Sequence, residues 1–284
     1  MNQNEFVSSH VDIIAEIGIN HNGDINIAKK LIDVAKNTGC DAVKFQKRNV
    51  DQVYTAAFLD SPRESPWGTT QRDQKEGLEF SEKDYDEIDN YAKAVGIDWF
   101  ASAWDYESQN FLSKYNLSVN KVASAMATNQ EILELVAGER KLTYLSTGMC
   151  DLPQIDNAVA VFKSFDCPFV LMHSVAEYPA PESALNLRCI LTLKERYECR
   201  IGYSGHESSV SPSIIAATLG ACAIERHITL DRAMYGSDQS ASLEPHGIET
   251  LVAQIRKISV VMGDGTKRVT DAEKINENKL RYWL

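Results

Sequence analysis

The 284 residues include only six cysteines, and no two of them form a CxxC pair. A disulfide scaffold and a cysteine-built zinc site are thereby excluded, since a chain of this length needs no covalent staples; a reducing, cytoplasmic setting is expected. Positive charge is short as well. Against 40 Asp plus Glu stand 29 Lys plus Arg, leaving a net charge of −11, which repels nucleic-acid backbones and anionic membranes. No run approaches the roughly 18 apolar residues of a membrane span, and the start, MNQNEFVSSHVD, lacks the basic and then apolar regions of a secretion signal. No low-complexity linker divides the chain. What remains is ordinary globular composition, 44% apolar and 24% charged, enough for a sizeable core. A small anionic substrate stays compatible with an acidic exterior, because a few buried Lys and Arg can make a local positive pocket.

Short apolar segments that read as buried strands recur at 12–17, 42–45, 98–101, 121–123, 143–146, 169–172, 200–203 and 223–227. Between most of them apolar residues fall three and four apart, as in Ala28, Leu31, Ile32 and Ala35 or Ile88, Tyr91, Ala92 and Val95, which is the spacing of a helix with one buried face. Gly39, Gly96 and Gly220 stand where those helices should end. Eight strand–helix repeats predict an α/β protein, a TIM (β/α)8 barrel, with a doubly wound open sheet as the second choice. A single barrel domain is expected over 1–284. The segment at about 49–80, carrying Pro62, Pro66 and Gly68, breaks the rhythm; it reads as a long active-site loop at the barrel rim or, more plainly, as a packing or disordered insertion.

In such a barrel the C-terminal ends of the strands face the catalytic mouth, so polar residues that terminate apolar strands are the candidates. Glu16, Lys44, Gln46, Ser102, Lys121, Ser124, Ser146, Thr147, His173, Ser174, Ser204, His206, Glu225 and His227 all qualify. His206 and His227, at the ends of adjacent strands, could converge on one divalent metal ion, with Glu16 and Asp238 supplying oxygen directly or through water. Taken singly, each histidine suits a structural role better. Lys44 and Lys121 end apolar strands, where a buried ammonium needs an anion. The four serines, 102, 124, 146 and 204, are donors suited to phosphate or carboxylate, and equally suited to capping helices.

The motifs IIAEIGINHNGD, AVKFQKR, GLEF, WFASAWD, KVAS, LSTGM, YPAP, GYSGH and GACAIERHITLDR run in this order from about Ile13 to Leu243. They resemble the sialic acid synthases, phosphoenolpyruvate-dependent sugar acid synthases. The resemblance implies a barrel that condenses phosphoenolpyruvate with an open-chain aldose, N-acetylmannosamine or a related sugar, with the help of a divalent ion such as Mn2+ or Mg2+. Carbon–carbon bond formation gives a 2-keto-3-deoxy sugar acid and phosphate. It implies that His206 and His227 bind the metal and that Lys44, Ser102, Lys121, Ser124, Ser146 and Ser204 hold phosphoenolpyruvate. Glu16, Gln46, Tyr178 and Asp238 would face the sugar or metal-bound water, with Glu16, Lys44, Lys121 and Asp238 as the catalytic set. Arg72 in the rim segment is a candidate for a phosphate or carboxylate on the acceptor, or else a solvated loop residue.

Three departures from the family concern the substrate. Ala125 and Met126 follow KVAS where an acidic residue is usual. Ala176 stands where Asn is common. The residues run to Leu284, and the antifreeze-like domain that commonly follows the barrel is not expected here. Two alternatives therefore stay open: the same chemistry on a different neutral or phosphorylated aldose, and a degenerate barrel that binds a sugar acid without turnover. The resemblance also implies a homodimer, for which Tyr282 and Trp283 offer aromatic surface.

Overall fold

The computed structural model describes residues 10–283. Eight parallel strands close into a barrel: β1 (Asp12–Gly18), β2 (Ala42–Lys47), β5 (Asp98–Ala103), β6 (Asn120–Val122), β7 (Thr143–Ser146), β8 (Phe169–Ser174), β9 (Arg200–Gly205) and β10 (Ala223–His227). Neighbours around the barrel are neighbours in this sequence, with β10 closing onto β1. Closure excludes the open-sheet alternative, and each of the eight expected segments is a barrel strand.

Inside the barrel the side chains are layered. Tyr144 stacks on Phe100, with centroids 5.9 Å apart, and its hydroxyl donates to Asp12 at 2.9 Å. Gly202 is required there, because a Cβ would meet the Met172 sulfur at 2.2 Å. Outside, the helices bury the stripes read from the sequence. Helix α1 (Ile25–Thr38) buries Ala28, Leu31, Ile32 and Ala35; it is capped at its start by Asp24 and ends at Gly39, whose φ of +87° a residue with a Cβ rarely adopts. Each fully buried Leu or Ile of such a stripe contributes about 1.5–3 kcal/mol.

The segment between β2 and β5 is ordered structure. It holds α2 (Val50–Val53), α3 (Ala56–Leu59), an antiparallel hairpin of β3 (Pro62–Ser65) and β4 (Gly68–Thr70), then α4 (Gln71–Leu78), started by a Thr70–Asp73 capping box. Trp67 covers Gly77, where a Cβ would come within 2.2 Å of the indole, and a Cβ on Gly23 would meet the Gly77 carbonyl oxygen as closely. Two glycines and one tryptophan thus pin the hairpin to the end of β1.

Beyond the barrel, the helix Pro245–Met262 packs along a face that runs from Ile248 to Ile258, whereas Val260, Val261 and Met262 are exposed. They are followed by a last helix, Asp271–Leu280. No helix among the described residues is long and apolar enough to cross a membrane.

Candidate active site

Strand geometry decides what faces the barrel mouth. Successive side chains alternate between barrel interior and helix layer, and parallel register aligns the alternation between strands: Glu16 lies beside Lys44 and His227, Gln46 beside Ser102, Ser102 beside Lys121, and Ser204 beside Glu225. These polar positions converge on a cavity of about 210 Å3 at the C-terminal ends of the strands. Two larger grooves, about 450 and 510 Å3, lie between outer helices, away from those strand ends.

At its base sit two ammonium groups and two carboxylates, all at least 95% shielded from solvent. Lys44 Nζ is 2.7 Å from Glu16 Oε2 and 3.7 Å from Glu225 Oε1, while Lys121 Nζ is 3.2 Å from Glu225 Oε2 and donates to Ser146. Burial raises the Glu16 pKa to about 7, because Lys44 only partly offsets the desolvation and Glu225 adds repulsion. For Glu225 burial acts in the same direction, but the Lys121 and Lys44 charges outweigh it and hold its pKa down at about 2. Burial lowers the Lys121 pKa, and the Glu225 charge opposes that shift. One carboxyl is therefore poised near neutrality while the other stays ionised.

At one side of the cavity His206 and His227 face each other with ring centroids 5.5 Å apart. His206 Nδ1 donates to the Val175 carbonyl at 2.7 Å, which leaves Nε2 a lone pair, facing the Tyr178 hydroxyl at 3.1 Å. His227 Nδ1 is buried without a hydrogen-bond partner, 3.7 Å from Asp238 Oδ2. Burial lowers both imidazole pKa values, that of His206 to about 4, so both rings are neutral. Neutral imidazoles with a free lone pair are the donors a divalent ion takes, and the two residues fit such an ion. Among the described residues no three His, Cys, Asp or Glu side chains form a closed cage, so most of its coordination would fall to water and substrate. His21, His173 and His246 lie elsewhere: His21 stacks on Phe80, His173 bonds the Leu185 carbonyl, and His246 is exposed.

The remaining expected residues are placed as follows. Gln46 lines the cavity and donates to Glu16 Oε1 at 2.7 Å. All four serines line it, but differently: Ser102 Oγ has no partner, Ser146 accepts from Lys121, Ser204 donates to Glu225 at 3.2 Å, and Ser124 accepts from the Gly148 amide at 3.1 Å. Ala125 and Ala176 line the cavity, whereas Met126 packs against the core. Arg72 is not brought together with the others. It sits on α4, paired with Asp51 at 2.7 Å and Glu76 at 3.0 Å, because acidic neighbours on the rim reach it first. Two residues are added. Glu225, read from the sequence only as a polar strand terminus, links both lysines. Trp104, two residues beyond Ser102 and hence on the same face, presents an indole N–H with no partner.

The sequence profile of the NeuB family matches residues 31–267. The chain belongs to the NeuB family. It is 38% identical over 280 residues to the N,N'-diacetyllegionaminic acid synthase of Campylobacter jejuni, an alignment that spans 96% of this chain and 83% of that enzyme. To the human N-acetylneuraminate-9-phosphate synthase it is 37% identical over 271 residues, 94% of this chain and 76% of the relative. The crystal structure of N-acetylneuraminic acid synthetase from Leptospira borgpetersenii, in complex with citrate, superposes with a TM-score of 0.83 at 32% identity, covering 96% of this chain and 93% of that one. This NeuB family member is an enzyme.

Proposed function

We propose that the protein condenses phosphoenolpyruvate with an open-chain aldose, N-acetylmannosamine or a related sugar, to a 2-keto-3-deoxy sugar acid such as N-acetylneuraminate, releasing inorganic phosphate. One observation carries this reading: two buried ammonium groups share a small cavity with partnerless donors, Ser102 Oγ and Trp104 Nε1, and with two neutral histidines. Partnerless buried donors call for an acceptor, and beside two ammonium groups the fitting acceptor is an anion; phosphoenolpyruvate offers both a carboxylate and a phosphate.

In the reaction a bond forms between C3 of phosphoenolpyruvate and the aldehyde carbon, water adds at C2, and the C2–O bond to phosphate breaks. Lys44 and Lys121 offset the ligand's charges, with Ser102, Ser124 and Ser146 donating to its oxygens and Ser204 turning its hydroxyl from Glu225 to join them. Glu16, held between the Lys44 ammonium and the Gln46 amide, accepts the proton of the attacking water. Tyr178 and Asp238 flank the histidines and orient the acceptor with Gln46. His206 and His227 would hold a divalent ion, Mn2+ or Mg2+, which supplies Lewis acidity at the acceptor's carbonyl oxygen. The enzyme works in the cytoplasm, as a homodimer, for which the exposed Tyr282 and Trp283 provide contact surface. A non-catalytic role is the weaker reading, since Glu16, both lysines and both histidines meet at one cavity.

The test is phosphate release from phosphoenolpyruvate with Mn2+ and a panel of neutral and phosphorylated aldoses, with mass spectrometry of the product. Release that depends on one sugar, with a product of the summed mass, supports the synthase. A folded protein that binds phosphoenolpyruvate and Mn2+ but gives no product with any sugar would favour the non-catalytic barrel.

A further inference from the structure

The names of the two synthases differ in whether the product carries a phosphate, and one corner of the rim bears on that choice. Arg72 is engaged by two carboxylates. Three residues further along the same helix, Lys75 is half-buried and has neither an ion pair nor a hydrogen bond among the described residues; its ammonium lies 5.4 Å from the Tyr54 ring. Arg48 is close to the cavity: its guanidinium lies 4.5 Å over Trp104 and donates to the Gln46 side chain, and both of those residues line the cavity. Arg63, on β3, is exposed and makes no ion pair among the described residues.

The ion pairs of this corner leave Lys75 and Arg63 without a carboxylate partner among the described residues. Glu79 is shared by Arg48 at 3.2 Å and Lys47 at 3.4 Å, and Asp238 stands against His227. Burial lowers the Lys75 pKa most, and the Arg48 and Arg63 charges lower it further, with Asp238 and Glu79 opposing. In a chain of net charge −11, two cations left without a carboxylate at one corner of the rim are a local feature. The corner also has a defined position. The hairpin bearing Arg63 packs on Tyr235, through Trp67 at 5.9 Å between ring centroids and through the Glu64 carbonyl at 3.4 Å, and Tyr235 belongs to the loop that carries Asp238. Through Arg63 and the hairpin it therefore adjoins the histidine and Asp238 side of the cavity, where the acceptor is placed, while Arg48 reaches the cavity at Gln46 and Trp104.

We propose that Lys75, with Arg63 and Arg48, forms a subsite for an anionic group at the far end of the acceptor, a phosphate monoester or a carboxylate, so that the preferred substrate is an anionic aldose. This rests on the synthase reading. The experiment compares N-acetylmannosamine, N-acetylmannosamine 6-phosphate and N-acetylmannosaminuronic acid as acceptors for wild type, Lys75→Ala and Lys75→Arg, at saturating phosphoenolpyruvate. Wild type is expected to favour an anionic acceptor, and Lys75→Ala to cut the anionic-to-neutral ratio of kcat/KM about tenfold or more, the worth of one charge-assisted hydrogen bond. Lys75→Arg keeps most of the ratio. The two anionic arms distinguish phosphate from carboxylate. A wild type with no preference, or a ratio unmoved in Lys75→Ala, overturns the subsite. If no acceptor consumes phosphoenolpyruvate, the synthase reading fails by itself, and calorimetry decides the subsite separately. Binding of the 6-phosphate that exceeds the neutral sugar and weakens in Lys75→Ala supports it, and equal binding overturns it.

Discussion

Arg226 and Glu207 form an ion pair of 3.0 Å in which neither side chain is more than 1% exposed. Each is the chain neighbour of a cavity histidine, Arg226 of His227 and Glu207 of His206. Arg226 also donates to the Glu207 and Ser209 carbonyls and to Ser213 Oγ, and Tyr203 donates to the second Glu207 oxygen at 2.8 Å. Alternation along a strand puts Arg226 on the helix side when His227 faces the cavity. The pair is thus a bracket behind the wall, tying together the two backbones whose imidazoles meet in front of it.

Removing one partner should cost far more than an exposed salt bridge. Arg226→Met leaves Glu207 buried without its cation, so unfolding in urea should show a loss of about 3–5 kcal/mol. The double variant Arg226→Met/Glu207→Leu should regain part of it, since no charge is then stranded. A single variant within about 1 kcal/mol of wild type would show that the bracket does not carry the wall.

Lys121→Ala tests the anion-binding base of the cavity. The expected result is an apparent phosphoenolpyruvate requirement raised about ten- to a hundredfold, from the loss of one charged hydrogen bond. Initial rates against phosphoenolpyruvate concentration measure it, and an unchanged requirement would place the ligand away from Lys121.

The barrel and the list of mouth residues were legible because both follow from short-range rules. Period-two alternation marks the buried strands, and a polar residue such as Glu16, Lys44 or Ser204 at the end of an apolar run must have a reason to be there. What long side chains do after leaving the backbone was not legible. Arg72 and Lys75 share one helix and one charge, yet Asp51 from another segment and Glu76 one turn along the same helix engage the first and leave the second. Glu225 looked like one polar terminus among many until closure of the barrel put both lysines within 3.7 Å of its carboxylate. The helices and hairpin of the rim segment were hidden as well, because each is too short to display a period.

His21 should shape the acid stability. Burial lowers its pKa from 6.5 to about 3, and its Nδ1 accepts from the Gly23 amide at 3.0 Å. The unfolded chain takes up the proton first, so stability present above pH 6.5 is lost as the pH falls toward 3. Between pH 7 and pH 5 this residue should account for about 2 kcal/mol of the decline. Urea titrations of His21→Asn should show a flatter acid limb, and parallel limbs for variant and wild type would exclude the assignment.

Glu16 should shift stability and activity in opposite directions across the same window. Its folded pKa of about 7 lies above the ordinary 4.5, so the folded protein holds this proton longer than the unfolded chain. The stability it contributes is complete below pH 4.5 and is lost as the pH rises through 7, by about 3 kcal/mol. Glu225 does not obscure this, because a pKa of about 2 makes its own contribution complete once the pH exceeds 4.5. Activity runs the other way: as the acceptor of the water proton, Glu16 must be ionised, so kcat/KM should climb through pH 7 to a plateau. In Glu16→Gln that limb should vanish along with about 10²–10⁴-fold of the rate, and the decline in stability between pH 4.5 and 7 should vanish with it. A variant that loses the rate but keeps the limb would assign the ionisation near neutrality to another group.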